Sequence, residues 1–565
     1  MTSSNAPLPT HSVSYFGLFP SPIFIGTALA RVIQNCSFVP AFTNRGISGV
    51  TATISTDTAS VRYKLFAYCS YPGTDCQEKK KIYSCYNQFM NREKRQLPKK
   101  SENLSEWYNR LVMLSELADY GPARGTMIFR PYSYAIWEIV QREMDDLIRA
   151  EGVENAYFPM FIPESFLSRE KEHVQGFAPE LAVVTIGGGE ELKEKLIVRP
   201  TSETVMYDAY SRWIHSWRDL PMLLNQWNNI VRWEKRTYLF LRTSEFLWQE
   251  GHTAHATHEE AIRMQKDAMK IYEEIYREMF ATTGYVGYKS ETEKFAGAGS
   301  TITYESLMPE GKSLQSCTSH DLGQNFSRVF DIKFQDKEGK NQYVWQTSWG
   351  FSTRSLGGLF MVHGDDAGLV LPPKLAPFQV VILPVTQDIK EMELCFEIVA
   401  KMEEAGVRVK IDDREDESVG FRINKWELKG VPVRIEIGKR EEENKILTVV
   451  RRDNGEKLQI PSAKIQTDIP ELLNKIQDGL LKKQEAFLKE NTHEVNDYPE
   501  FKNIMDGPRG FIHAFWCEDK ECEAQIKTET KATTRCLLMD EKEQNGVCVH
   551  CGKPAKRKWM FGLAY

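Results

Sequence analysis

The sequence predicts an α+β architecture: an antiparallel sheet flanked by helices over residues 98–375, an α/β domain over 376–490 and a small α/β domain over 491–565. Three observations carry that expectation. The segments NNIVRWE and EFLWQEGHTAHA read as strands, rich in β-branched and aromatic residues, and lie between stretches whose apolar residues recur at helical spacing. After the proline-rich LPPKLAPF, short β-branched runs alternate with helical patterns, as in an α/β unit. Finally, five of the 11 cysteines crowd between Cys517 and Cys551. At about 100–200 residues per domain, a chain of 565 residues holds roughly three or four domains.

The first element is compositional. Residues 1–75 carry only four basic groups (Arg31, Arg45, Arg62, Lys64) and two acidic ones (Asp57, Asp75), and 17 of the first 60 residues are Ser or Thr. Residues 1–97 are therefore expected to be a disordered leader and linker, with an organelle transit peptide directing import to a plastid or mitochondrion; the cytoplasm is the alternative. The apolar stretch Val13–Ala30 is too short for a membrane span and is interrupted by Pro20 and Pro22, so no membrane association is expected. Removing residues 1–75 takes the formal charge from −6 to −8. A negative total leaves only local patches for nucleic acid.

Globular patterning begins near Trp107. Pro131 suits the first position of a helix, whose apolar face reads Ile136, Ile139, Val140, Met144, Leu147 and Ile148 and which Gly152 stops. A strand, AYFPMFI, should follow. Gly187–Gly189 form the tip of a hairpin rather than a phosphate loop. The loop KRTYLFLRT joins the two diagnostic strands, and His258–Phe280 is an amphipathic helix. Beyond LPPKLAPF the strands are QVVILPV, VRVKIDD, VPVRIEIG and KILTVVRRD, and a charged helix covers Leu472–Asn491.

Cys517 and Cys522, then Cys548 and Cys551, form two close pairs separated by a longer loop, the spacing of four thiolates around a tetrahedral structural zinc. Cys536 is left over as a small hydrophobe, and His550, inside the second pair, is a lesser candidate ligand. His252, His255 and His258 cannot all face one way on a strand and are expected to be individually satisfied. Neither GxxxxGK[ST] nor a strand-bound GxGxxG occurs, so any nucleotide must be held by other groups.

Arginines are available: Arg199 in RPTSET, Arg232 in RWE, Arg242 in LRTSEFLWQEGH and Arg354 in SWGFSTR. These strings, with CTSHDLGQNF, HGDDAGLVLPP, WELKGVPVRIEIG and the terminal cysteine pairs, resemble the prolyl-tRNA synthetase family of the archaeal and eukaryotic type, from about Trp107 to Tyr565. The resemblance implies a class II synthetase catalytic domain, an anticodon-binding domain and a zinc-binding C-terminal domain. It also implies a homodimer built on the helix after Pro131. The path from His252 to Ser352 leaves no room for the large editing insertion of the bacterial type.

Carried over by resemblance, Thr201 and Glu203 would bind the ring nitrogen of L-proline and Arg232 its carboxylate, with Phe177, Trp248 and His320 lining the ring. For ATP, the resemblance assigns Arg232 and Arg242 to the phosphates, Glu234 and Phe246 to adenine, Thr318 and Ser352 to the ribose, Arg354 to the third motif and Gln315 to the Mg2+. Arg232, Arg242 and Arg354 would be the catalytic groups. The implied reaction activates proline with ATP and passes it to tRNA; the alternative is a catalytically inactive synthetase-like protein that binds tRNA or regulates. The terminal tyrosine, Tyr565, would reach toward the active site. Alanine and cysteine fit a proline pocket, and one methylene discriminates by only about 1–3 kcal/mol, so some mischarging is implied. Candidate tRNA contacts are Lys429, Arg434, Lys439 and Arg440, with Lys553, Lys556, Arg557 and Lys558 in the tail.

Overall fold

The computed structural model describes residues 97–168, 181–386 and 388–565, together with a pair of two-residue strands, Ala52–Thr53 and Phe66–Ala67. Residues Met1–Gln96 form one unit and Leu97–Tyr565 another. The rest of the expected leader lies outside the described residues.

The larger unit is organised by a sheet of eleven strands among the described residues. Its centre is antiparallel: Gly284–Tyr288, Ser300–Leu307, Lys312–Gly323, Trp345–Ser352, Glu245–His255 and Met222–Val231 lie side by side in that order. Two helices cover this core. Pro131–Ala150 begins with its proline at the first position and buries Ile136, Ile139, Val140, Met144 and Ile148. Gly152, at φ +77°, follows its end in the left-handed region that glycine tolerates best. His258–Glu274 is capped by Thr257, whose hydroxyl accepts from the Glu260 amide while the Glu260 carboxylate accepts from the Thr257 amide. Its buried face includes Met264, Ala268, Met269 and Tyr272. The expected strand AYFPMFI shrinks to Phe161–Pro163, because Pro159 has no N–H to give a ladder. Gly188 and Gly189, at φ +63° and +90°, turn the hairpin between Ala182–Gly187 and Glu190–Val198.

The α/β segment has a separate five-stranded sheet in the order Val409–Ile411, Val380–Pro384, Val433–Ile437, Ile446–Arg451, Lys457–Pro461. The first three strands are parallel and the last two pairings antiparallel. The helix Ile465–Glu490 closes it.

The C-terminal segment has its own hydrophobic core around Trp516, Ile526 and Phe561. Its strands nevertheless extend the catalytic sheet: Leu537 and Leu538 pair with Tyr288 and Gly287. No periodicity within the segment announces that junction.

Candidate active site

Alternation along the strand Glu245–His255 places Phe246, Trp248, Glu250 and His252 on one face, and all four line a cavity of about 230 Å³. Beside it in the sheet, Trp345–Ser352 contributes Ser348, Gly350 and Ser352, and Arg354 follows at the start of the next helix. Gly350 has to be a glycine: a Cβ there would sit 2.5 Å from the ring of Trp248. Thr201 and Glu203, at the beginning of the helix Glu203–Trp213, complete a third side, and Gln315, Thr318 and His320 come from Lys312–Gly323.

One end of the cavity is acidic. The Thr201 hydroxyl donates to the buried Glu203 carboxylate. Beneath it, Glu250 accepts from Asn228 Nδ2 at 2.6 Å, from the Ser202 hydroxyl and from His252 Nε2 at 3.1 Å. Burial opposes ionisation of Glu250, but its bonds and the His252 charge outweigh that and hold its carboxyl down at about 2. Burial likewise disfavours protonated His252, yet the Glu250 bond and the charges of Glu203 and Glu250 raise it above its ordinary value.

The other groups make a cationic, aromatic end. Arg232 Nε donates to the Pro200 carbonyl at 3.1 Å, and its guanidinium lies 5.4 Å and 5.7 Å from the ring centres of Trp248 and Phe246. Arg354 Nε donates to Leu241 O at 3.0 Å. Burial first, then the charges of Arg232 and Arg242, pulls the Arg354 pKa down to about 10. Arg232, Arg242 and Arg354 thus converge, and Glu234 pairs with Arg242 at 2.7 Å. Trp248 Nε1 and Ser348 Oγ are buried with no hydrogen-bond partner among the described residues. A polar ligand would satisfy both.

Of the residues expected at the site, Thr201, Glu203, Arg232, Phe246, Trp248, Gln315, Thr318, His320, Ser352 and Arg354 line this one cavity. Glu234 and Arg242 lie outside its walls but act on Arg354 through their charges. Phe177 falls outside the described residues. The walls also include Glu250, His252, Lys289, Glu293, Phe295 and Thr301, none of which was expected there. Glu250 and His252 merely continue the face begun by Phe246 and Trp248, so alternation could have found them. Phe295, stacked 4.5 Å from His320, comes from a loop with no comparable pattern. The three histidines stay apart: His252 meets Glu250, His255 meets Thr253 and His258 meets Asp321.

The four thiols of Cys517, Cys522, Cys548 and Cys551 lie within 4.8 Å of one another, with Cys517–Cys551 at 3.5 Å and Cys522–Cys548 at 3.7 Å. Sulfur atoms at the corners of a zinc tetrahedron with about 2.3 Å bonds stand about 3.8 Å apart, so the cluster fits that ion. His550 Nδ1 is 3.3 Å from Cys522 Sγ, and Cys536 is buried elsewhere.

One expectation for tRNA contact needs correction. Lys429 is buried, bound to Glu116 at 2.5 Å and held beside Tyr132 and Trp426, and Arg434 pairs with Glu436 at 2.8 Å. The Lys429 charge thus serves the interior of the protein, whereas Arg434 is half-buried and Lys439 and Arg440 are exposed. Tyr565 donates its amide to Ser313 O at 3.0 Å and its side chain interacts with Tyr238, on the loop between Arg232 and Arg242, without lining the cavity.

An antiparallel sheet that, with its adjoining loop and helix, brings two arginines into the wall of a cavity and a third beside them is the architecture of a class II aminoacyl-tRNA synthetase. In agreement, the tRNA synthetase class II core domain (G, H, P, S and T) matches residues 184–362, an anticodon binding domain matches 379–477, and a prolyl-tRNA synthetase C-terminal domain matches 498–565. A proline–tRNA ligase of Rubrobacter xylanophilus is 49% identical over 83% of this chain and 98% of its own length. One from Chlorobaculum tepidum is 50% identical over 82% and 98%. The crystal structure of prolyl-tRNA synthetase from Cryptosporidium parvum complexed with halofuginone and AMPPNP superposes with a TM-score of 0.80 at 41% identity, covering 83% of this chain and 96% of that one. The chain belongs to the prolyl-tRNA synthetase family.

Proposed function

We propose that the protein activates L-proline with ATP and transfers it to the 3′ end of its tRNA. The observation that carries this is the polarity of the cavity: Glu203 at one end, aromatic walls between, and Arg232 with Arg354 at the other. Proline's secondary ammonium needs anionic acceptors, which Thr201 and Glu203 supply through a charge-assisted bond. Its ring packs against Trp248 and His320, and Arg232 takes its carboxylate.

ATP occupies the cationic end. Phe246 and Glu234 hold the adenine, Thr318 and Ser352 the ribose, and Arg232, Arg242 and Arg354 the phosphates. The proline carboxylate oxygen forms a bond to the α-phosphorus while the bond to the pyrophosphate oxygen breaks. Two anions must be brought together, so the arginines contribute by positioning and charge neutralisation, and no protein nucleophile is required. Mg2+ arriving with ATP, beside Gln315, would add further neutralisation of the triphosphate. In the second step a terminal ribose hydroxyl of tRNA attacks the prolyl carbonyl and AMP leaves.

Zinc held by the four cysteines would be structural, because four thiolates leave no open coordination position. The segment matching an anticodon-binding domain, with Lys439 and Arg440 exposed, is the expected site of tRNA contact. We further propose a homodimer, with the helix Pro131–Ala150 at its interface, and a plastid or mitochondrial location directed by residues 1–97. Among the described residues, no helix is long and apolar enough to cross a membrane.

Charging of tRNA with radiolabelled proline by the purified chain tests the function. Accumulation of prolyl-tRNA is expected; adenylate formation without any transfer would overturn the second step.

A further inference from the structure

Four consecutive residues of one strand, Gln315, Ser316, Cys317 and Thr318, line the cavity. A regular strand cannot present all four, because successive side chains point to opposite faces. The strand Lys312–Gly323 escapes the alternation through a bulge: Tyr304 pairs with Cys317 and Glu305 with Gln315, leaving Ser316 as the extra residue. Bulges re-aim the side chains beside them and interrupt the ladder that would hold them.

The group anchoring this bulge is Glu305, whose side chain is wholly buried. Its Oε1 accepts from Lys289 Nζ at 2.7 Å and Thr303 Oγ1 at 2.9 Å, and its Oε2 accepts from Ser313 Oγ at 2.6 Å. The same Oε2 accepts two bonds from Arg535, 2.7 Å from Nη2 and 3.0 Å from Nε. Arg535 belongs to the strand Ala532–Leu538 of the C-terminal segment, whereas Lys289 is itself a cavity wall. The C-terminal segment also grips the residues after Lys289, since Glu523 accepts from Ser290 and Thr292. Stability does not explain three buried charges, because well-packed apolar side chains of similar volume usually serve it as well or better. What the ionic network supplies is direction: one carboxylate, saturated by five donors, fixes two strands and a lysine relative to one another.

We propose that Arg535 is a positioning residue for the ATP end of the cavity. Through Glu305 it sets the bulge that presents Gln315 and Thr318, and it aims the ammonium of Lys289. The inference rests on the assignment of Gln315 and Thr318 to ATP made above.

The test is steady-state proline-dependent ATP–pyrophosphate exchange, with ATP and proline varied separately, in the full chain and in Arg535→Gln and Arg535→Lys. In Arg535→Gln, KM for ATP should rise about tenfold, while kcat per active site and KM for proline stay within about threefold of the parent. Arg535→Lys keeps the charge but loses the two-point bond and should fall between. Adding Glu305→Gln to Arg535→Gln should cost little more, as expected of groups acting as one unit. An Arg535→Gln enzyme that melts earlier yet keeps its KM for ATP would reduce Arg535 to a structural role and overturn the proposal. If that variant does not fold, Arg535→Lys decides: a parental KM for ATP overturns the proposal and a raised one supports it. A parent chain lacking proline-dependent exchange would refute the substrate assignment and the positioning claim together, whereas an active parent with indifferent variants refutes the positioning claim alone.

Discussion

Replacing Arg354 with Met should uncouple stability from activity. Arg354 makes one side-chain hydrogen bond among the described residues, to Leu241 O, and burial together with Arg232 and Arg242 pulls its pKa well below the ordinary arginine value, to about 10. At about 1.4 kcal/mol per factor of ten, keeping this cation charged costs about 3 kcal/mol, and partial solvent screening reduces that to about 2–3 kcal/mol. A bound triphosphate removes the repulsion and supplies the missing acceptors. Without the arginine, adenylate formation should fall about 10²–10³-fold, equivalent to about 2.7–4 kcal/mol of lost electrostatic stabilisation. The ligand-free variant should melt a few degrees higher, since about 1 kcal/mol moves the Tm of a domain this size by roughly 2–4 °C. Pyrophosphate exchange and a thermal melt without ATP measure the two effects. Exchange within tenfold of the parent, or a lower Tm accompanying the lost activity, would refute the reasoning.

Three further outcomes follow from the geometry. Glu203→Gln removes a buried anionic acceptor and should lower kcat/KM for proline by about 10- to 100-fold with little change in KM for ATP; equal losses for both substrates would contradict its assignment to the amino acid. Metal analysis should find zinc in the purified chain and a reduced content in Cys522→Ser, with a lower Tm; a parent chain free of zinc would contradict the site. For His252, a folded pKa raised above 6.5 contributes stability that is present in full below pH 6.5 and lost as pH rises through the folded value. Urea unfolding of the parent and His252→Asn should therefore converge as pH rises above 6.5, and parallel curves would contradict the pairing with Glu250.

Local physics made some features legible and hid others. Pro131 followed by a helical apolar stripe, two strands rich in β-branched and aromatic residues, and two closely spaced cysteine pairs each declare themselves within a few residues, and each folds as expected. Glu250 and His252 were within reach of the same reasoning, because the face that presents Phe246 and Trp248 must also present them. Lys429 misled because charge on a turn looks solvent-facing until its partner is known, and that partner, Glu116, is remote in sequence. The junction of Leu537 with Tyr288 and the bond from Arg535 to Glu305 span more than 200 residues. Pairings of that range leave no periodic trace. The bulge at Ser316 belongs with them, since only the register against Tyr304 and Glu305 reveals it.

The most direct test of the account is ATP–pyrophosphate exchange by the purified chain with proline, alanine, cysteine and threonine offered separately. Exchange should depend on proline, with slower exchange for alanine and cysteine, which fit the pocket but fill it less well. Exchange driven by threonine, or none with any of the four, would contradict the assignment of the cavity to proline and ATP.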